Sequence, residues 1–126
     1  MRLADDRGSA VAEFTMVTGL LVMLVLSVMQ LSLALHVRAT ITDAAAEGAR
    51  HASLIGADAS AGIARTRELI ITAVGPDYAQ QVSASTAVVA GLETIEIRVA
   101  APLPVFGLVG PVALEVTGHA PVESLG

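Results

Sequence analysis

The N-terminal region of the chain reads Arg7-Gly8-Ser9-Ala10-Val11-Ala12-Glu13-Phe14 and then continues, without a charged residue, to Leu35. A helix of that length, rising about 1.5 Å per residue, spans roughly the 30 Å hydrocarbon core of a bilayer. The stretch therefore predicts a membrane-spanning helix. Glu13 lies just inside it, where an acid costs about 2.5 to 3.5 kcal/mol to insert, so its carboxylate is a candidate functional group.

A cleaved secretory signal peptide is the alternative interpretation of this stretch. Ser32-Leu33-Ala34 satisfies the small-x-small rule for signal cleavage. The apolar run is longer, however, than the roughly 7 to 15 residues of a signal peptide's apolar region. Its length favours a permanent membrane anchor.

Composition limits what the rest of the chain can be. With 126 residues and one membrane segment, about 75 to 90 residues remain, enough for a single small domain. There is no Cys and no Lys, and the net charge is -5, which argues against a nucleic-acid partner. His36, His51 and His119 form no i,i+4 pair and have no acid at ligand spacing, so neither a metal site nor a cofactor is predicted.

The helix is predicted to continue beyond the membrane, since the segment from Arg38 to Ala52 is rich in helix formers and contains no Pro. Glu47 and Arg50 are spaced as an i,i+3 ion pair, and Gly56 is the predicted end. Two interpretations of this segment stay open: it is simply an Ala-rich helix, or its small residues meet the sheet or another helix. Those small residues are Ala44, Ala45, Gly48, Ala49 and Ala52.

The remainder predicts a second helix and an antiparallel sheet, hence an α+β fold. Asp58 or Ser60 can cap the helix, and Gly75-Pro76 stops it. The helix is predicted to have an apolar stripe formed by Ile63, Arg67, Ile70 and Val74 and widened by Ala64 and Ile71. A strand around 82–88 and a turn at Gly91 follow, and then a strand carrying Ile95, Ile97 and Val99. An apolar loop over 102–111, which includes Phe106, leads to a last strand over 112–119. Three or four strands are expected in all.

The N-terminal residues resemble the prepilin cleavage signature, in which a peptidase cuts after a Gly and the fifth mature residue is Glu, followed by an aromatic. Cleavage after Gly8 would make Ser9 the first mature residue, Glu13 the fifth and Phe14 the aromatic. The Ala-rich stretch 43–52, with its Glu-Gly-Ala-Arg sequence, is similar to the one that follows the membrane helix in TadE-like minor pseudopilins. Two positions depart from that pattern: Gly19 replaces a frequent Pro, and Gln30 replaces a frequent acid.

The resemblance implies a minor pseudopilin that a prepilin peptidase processes and that assists assembly or anchoring of a tight-adherence (Flp-type) pilus. Its expected parts are a leader over 1–8, a transmembrane helix over 9–37 and an extracytoplasmic domain over 38–126, with the N-terminus cytoplasmic. Gly8 and Ser9 would flank the cleaved bond, and Glu13 and Phe14 would act in subunit assembly. The expected partners are the peptidase, other pilin or pseudopilin subunits and the membrane, with no nucleic acid and no enzymatic activity.

A different class of function also fits the sequence. An unprocessed single-pass membrane protein would have the same apolar helix, and its small domain would bind a ligand or a protein partner. The two hypotheses differ in the N-terminus of the mature protein. A membrane-tethered hydrolase is not supported, because the sequence shows no grouping of nucleophile, base and orienting residue.

Overall fold

The computed structural model describes residues 2–54, 56, 58–102 and 113–122, with side chains from residue 6 onward. Helix α1 is Arg2–Leu54, helix α2 is Ala59–Ala73, and a short 3-10 helix, Pro76–Tyr78, leads into the sheet. The strands are β1 (Gln81–Val89), β2 (Leu92–Pro102) and β3 (Ala113–Pro121), paired antiparallel in the order β1-β2-β3. The predicted α+β class is confirmed, with three strands in the described part of the chain.

Helix α1 runs through 53 residues without a break, so its predicted extension beyond the membrane segment is confirmed. It begins at Arg2 and therefore includes the described residues of the expected leader. It ends at Leu54, and Gly56 follows with a positive φ of 79°, a conformation in which glycine is favoured. The predicted Glu47–Arg50 ion pair is wrong, because these two exposed side chains form no ion pair with each other in the structure.

The small residues in the second half of α1 are buried against the domain of the same chain. A Cβ added at Gly48 would overlap the Thr66 hydroxyl of α2 and lie 2.8 Å from the carbonyl oxygen of Gly62. On the other side, β3 approaches so closely that a Cβ at Gly118 would overlap the backbone of Ala45. The close-packing interpretation of this face is therefore confirmed, and it brings in both the sheet and α2.

Helix α2 begins at the predicted cap. The Asp58 carboxylate accepts hydrogen bonds from the backbone N–H groups of Ser60 (3.0 Å) and Ala61 (3.4 Å), and the Ser60 hydroxyl donates to it at 2.6 Å. These bonds stabilise the ionised carboxylate; that from the Ser60 hydroxyl contributes most, and together they hold the pKa of Asp58 below its usual range. The helix ends at Ala73, and Val74 caps it just before Gly75-Pro76, the predicted stop.

The predicted apolar stripe of α2 is partly wrong. The buried residues are Gly62, Thr66 and Ile70, whereas Ala64, Arg67 and Ile71 are exposed. The reason is that Gly62 and Thr66 allow α2 to approach Gly48 of α1, which turns the helix toward its small residues rather than its largest apolar ones. Ile63 and Val74 are half-buried between these two sides.

Strand β2 is the centre of the sheet, and its predicted alternation is confirmed. Ile95, Ile97 and Val99 are fully buried, while Arg98 is exposed and Glu96 half-buried on the opposite face. The β1–β2 turn consists of Ala90 and Gly91, both with positive φ (52° and 80°), which is the backbone of a tight hairpin.

The two outer strands differ in burial. In β3, Leu114 and Val116 are buried on the face that meets α1, as predicted. In β1, Val82 is buried and Ala84 half-buried, but the rest of the same face is exposed. The predicted apolar loop lies outside the described residues, apart from Pro102, which ends β2; Phe106 and Val112 are among the residues not described.

The direction of each element follows from its neighbours. A groove between the helices places Leu69 and Ala73 of α2 beside Thr40, whereas Gly62 lies beside Ala52, so α2 runs back toward the apolar half of α1. Pro121, at the end of β3, shares a groove with Leu54. Strands β3 and β1 therefore run in the same sense as α1, away from its apolar half.

Candidate assembly site on the N-terminal helix

The residues predicted to carry function lie close together near the start of α1. Gly8, Ser9, Glu13 and Phe14 are all exposed, and the Phe14 side chain keeps 74% of its surface accessible. None of them lies in the packed half of the helix, which begins at Val37. These positions can therefore be recognised by another molecule.

Gly8 has no packing reason to be a glycine. A Cβ built there meets nothing within 4 Å, in contrast to Gly48 and Gly62, where a Cβ would meet backbone at 2.8 to 3.0 Å. A glycine inside a helix costs about 1 kcal/mol relative to alanine. The missing side chain at Gly8 is thus explained neither by the helix nor by a contact within the described chain.

Glu13 and Ser9 are four residues apart in a regular helix and therefore lie on the same side of it. Helical side chains lean toward the N-terminus, which directs the Glu13 carboxylate back toward the level of Ser9. Glu13 makes no ion pair with any residue that the structure describes. An acid in this position can reach a positive group on a neighbouring helix.

The apolar part of α1 is exposed on all sides and is long and apolar enough to cross a membrane. Two of its hydroxyl groups donate within the helix: Thr15 to the carbonyl of Val11 at 2.9 Å, and Ser27 to that of Met23 at 2.7 Å. These side chains therefore add little to the cost of inserting the helix into lipid. The helix indicates a single-pass membrane protein.

Residues 8–50 match the model of the family described as TadE-like protein. This N-terminal region is TadE-like. The match begins at the predicted cleavage-site glycine, Gly8, and covers about a third of the chain, ending shortly after Gly48. It agrees with the resemblance predicted from the sequence. No curated protein and no solved structure matches the chain.

Outside the TadE-like region, the outer face of the sheet carries a small network of charges that was not predicted from the sequence. Arg98 contacts Glu96 at 3.1 Å and Glu115 at 3.2 Å, and His119 lies 3.1 Å from Glu96. The pairing of β2 with β3 brings these side chains together on neighbouring strands. Their proximity could not be predicted from the sequence, because it depends on which residues pair. Among the described residues no group of three or more His, Cys, Asp and Glu side chains could hold a metal ion.

Proposed function

We propose that this protein is a minor pseudopilin, cut after Gly8 by a prepilin peptidase, that assists assembly or anchoring of a tight-adherence (Flp-type) pilus. The TadE-like match over residues 8–50 is the observation that carries the proposal. It is supported by the exposure of Gly8 and by the lack of any packing reason for a glycine there. In this proposal the expected leader, membrane helix and domain are residues 1–8, 9–37 and 38–126.

Cleavage needs the chain to leave the helix locally, because a peptidase binds its substrate extended. Gly8 favours this step, since glycine is a poor helix former and has no side chain to exclude from a narrow site. The cut separates Gly8 from Ser9, and Ser9 then carries a new positive amino group at the end of the membrane helix.

Assembly uses the residues that follow the cut. In an apolar environment an isolated charge is costly, so the Ser9 amino group of one subunit and the Glu13 carboxylate of a neighbour stabilise each other when they pair. Phe14 provides apolar contact area beside that pair. The cut is made at the cytoplasmic side, which places the domain outside the cytoplasm, either within the pilus or at its base.

The substitution Gly8→Val tests the processing step. We expect the protein to insert normally, because insertion depends on residues 14–35, but to remain uncut, because valine blocks the extended binding of the scissile region. Intact mass of the membrane-extracted protein, produced with the peptidase present, measures the outcome. Gly19→Val is the matched control, since a Cβ at Gly19 also meets nothing within 4 Å, and it should be cut normally.

A normal mature mass for Gly8→Val would contradict the proposed cleavage site. An uncut wild-type protein in the same cells would instead support the second candidate, an unprocessed single-pass protein whose domain binds a ligand or a protein partner. The single observation that favours this candidate is the regular helix from Arg2 through Gly8, in which the cleavage site is not extended.

A further inference from the structure

Among the residues that the structure describes, strand β1 forms an unprotected edge of the sheet. It pairs with β2 through nine consecutive residues without a bulge, and no other described strand pairs with its outer side. Proteins usually protect an edge strand with charge, Pro or a bulge, because its unpaired N–H and C=O groups bind other strands. The sequence Gln81–Val89 contains no charged residue and no Pro. The opposite edge, β3, carries Glu115, His119 and Pro121.

Apolar residues next to this edge are left uncovered. Ile71 of α2 is 48% exposed, and Val88, on the inner face of β1, is 75% exposed. Ile71 follows the buried Ile70 by one residue, a turn of about 100° away from the packed side of α2. Leu69, one residue before Ile70, turns the opposite way and lines the groove with α1, so Ile71 lies on the side of α2 away from α1. Ala64 and Arg67 are exposed on the same side.

The apolar face of α2 is thus wider than the sheet that covers it. One more strand beside β1 would pair with its unpaired backbone groups and would cover Ile71 and the inner face of β1 together. A flat apolar partner would cover the side chains but leave the backbone edge unpaired, whereas an extended segment satisfies both. The geometry favours a strand over any other shape of partner.

We infer that β1 is the docking edge for an extended segment of another protein subunit, which adds a fourth strand to the sheet. The segment has apolar side chains at alternate positions, facing α2, and an acidic residue opposite Arg67. Arg67 is exposed and makes no ion pair within the described part of the chain, so it supplies the complementary charge. This inference does not depend on cleavage after Gly8.

A second copy of the same chain cannot pair with this edge in the antiparallel sense through its own β1. Antiparallel pairing of two β1 strands would turn one molecule upside down relative to the other. Since β1 and α1 run in the same sense, the two membrane helices would then point in opposite directions. Two copies inserted the same way in one membrane cannot adopt that arrangement.

Paired cysteine variants test the added strand, because the natural chain contains no cysteine. Thr86→Cys places a thiol on the inner face of β1, and Ser85→Cys places one on the solvated face; both positions are exposed in the isolated chain. The probe is a membrane-impermeant maleimide, applied to the full-length protein in the membranes of pilus-forming cells and after purification in detergent. We expect Thr86→Cys to react at least tenfold more slowly in the membranes, and Ser85→Cys to react at similar rates in both samples.

A second substitution identifies the docking surface. Added to Thr86→Cys, Ile71→Asp should restore fast labelling in the membranes, because it puts a charge under the added strand. Thr72→Asp, its exposed neighbour on α2, should leave the slow rate unchanged. Equal rates for Thr86→Cys in the two samples would overturn the inference. So would slow labelling of both thiols in membranes, which indicates a lipid surface or a broad interface, or slow labelling that persists with Ile71→Asp.

Discussion

Single residues of β2 show how much of the domain's stability depends on one face of a strand. Ile97 is fully buried between the helices and the sheet, and its δ-carbon lies 3.2 Å from where a Cβ of Gly62 would be. We expect Ile97→Asp to lower the free energy of unfolding by several kcal/mol, about 3 to 5, since it removes apolar contacts and buries a carboxylate. Denaturant unfolding of the full chain in detergent, followed by circular dichroism, measures the loss.

The neighbouring residue provides the control. The Arg98 side chain is 56% exposed and bridges Glu96 and Glu115, and exposed ion pairs contribute about 0 to 1 kcal/mol. Arg98→Gln should therefore change stability by less than about 1 kcal/mol. Arg98→Asp is a poorer control, because it would place a third carboxylate between two others. Equal losses for Ile97→Asp and Arg98→Gln would contradict the assignment of the two faces of β2.

At the scale of elements, the contact between α1 and α2 depends on paired glycines. We expect Gly48→Ala to lower the free energy of unfolding by about 1 to 3 kcal/mol, because the new methyl group would lie 2.8 Å from the Gly62 carbonyl and overlap the Thr66 hydroxyl. Ordinary helix propensity predicts the opposite sign, since alanine is the better helix former by about 1 kcal/mol. Denaturant unfolding of the full chain in detergent decides between a loss and a gain of stability.

Gly19→Ala is the matched control for this contact, because it makes the same change in the same helix at a position with nothing within 4 Å. It should not destabilise the domain. If Gly48→Ala proved as stable as the wild type, the two helices would have to separate without cost. The close packing seen here would then not be a main source of the domain's stability.

The contrast between α1 and α2 shows which features of the fold the sequence predicts. The long helix, the cap at Asp58, the hairpin turn and the buried face of β2 follow from local patterns, and all are present. The rotation of α2 does not follow from such patterns, because it is decided by Gly48 of a distant segment. The alternation in β1 likewise could not show that half of its inner face would stay uncovered.

The candidate site was predicted from the sequence in a different way from the fold. Gly8, Ser9, Glu13 and Phe14 were identified by a motif whose meaning depends on other molecules, and the structure adds that these residues have no partner within the described chain. The β1 edge was not predicted, because a strand's position in the sheet is unknown until its pairing is known. The sequence contained one signal of an exposed edge, which is the absence of charged residues from Gln81–Val89.

On the scale of the whole molecule, the chain consists of an exposed half that suits lipid and a packed half that is a small domain. In the proposed assembly, contacts between subunits within the membrane therefore come from the first half of α1. Glu13 is the only acid between Asp6 and Asp43, so in the mature membrane segment no other residue can neutralise a neighbour's amino group. The proposed assembly thus depends on one carboxylate.

The substitution Glu13→Gln tests that dependence. It keeps the size and hydrogen-bonding capacity of the side chain but removes the charge, so we expect the protein to insert and to be cut after Gly8 but no longer to associate with other pilus subunits. Co-purification from mild detergent, with intact mass measured on the same sample, separates processing from association. Thr18→Gln adds the same amide to the membrane helix without removing the acid, and it should retain association. If Glu13→Gln is cut and recovers its partners in wild-type yield, its carboxylate merely extends to the lipid headgroups, and the charge pair with Ser9 is wrong while the cleavage proposal stands.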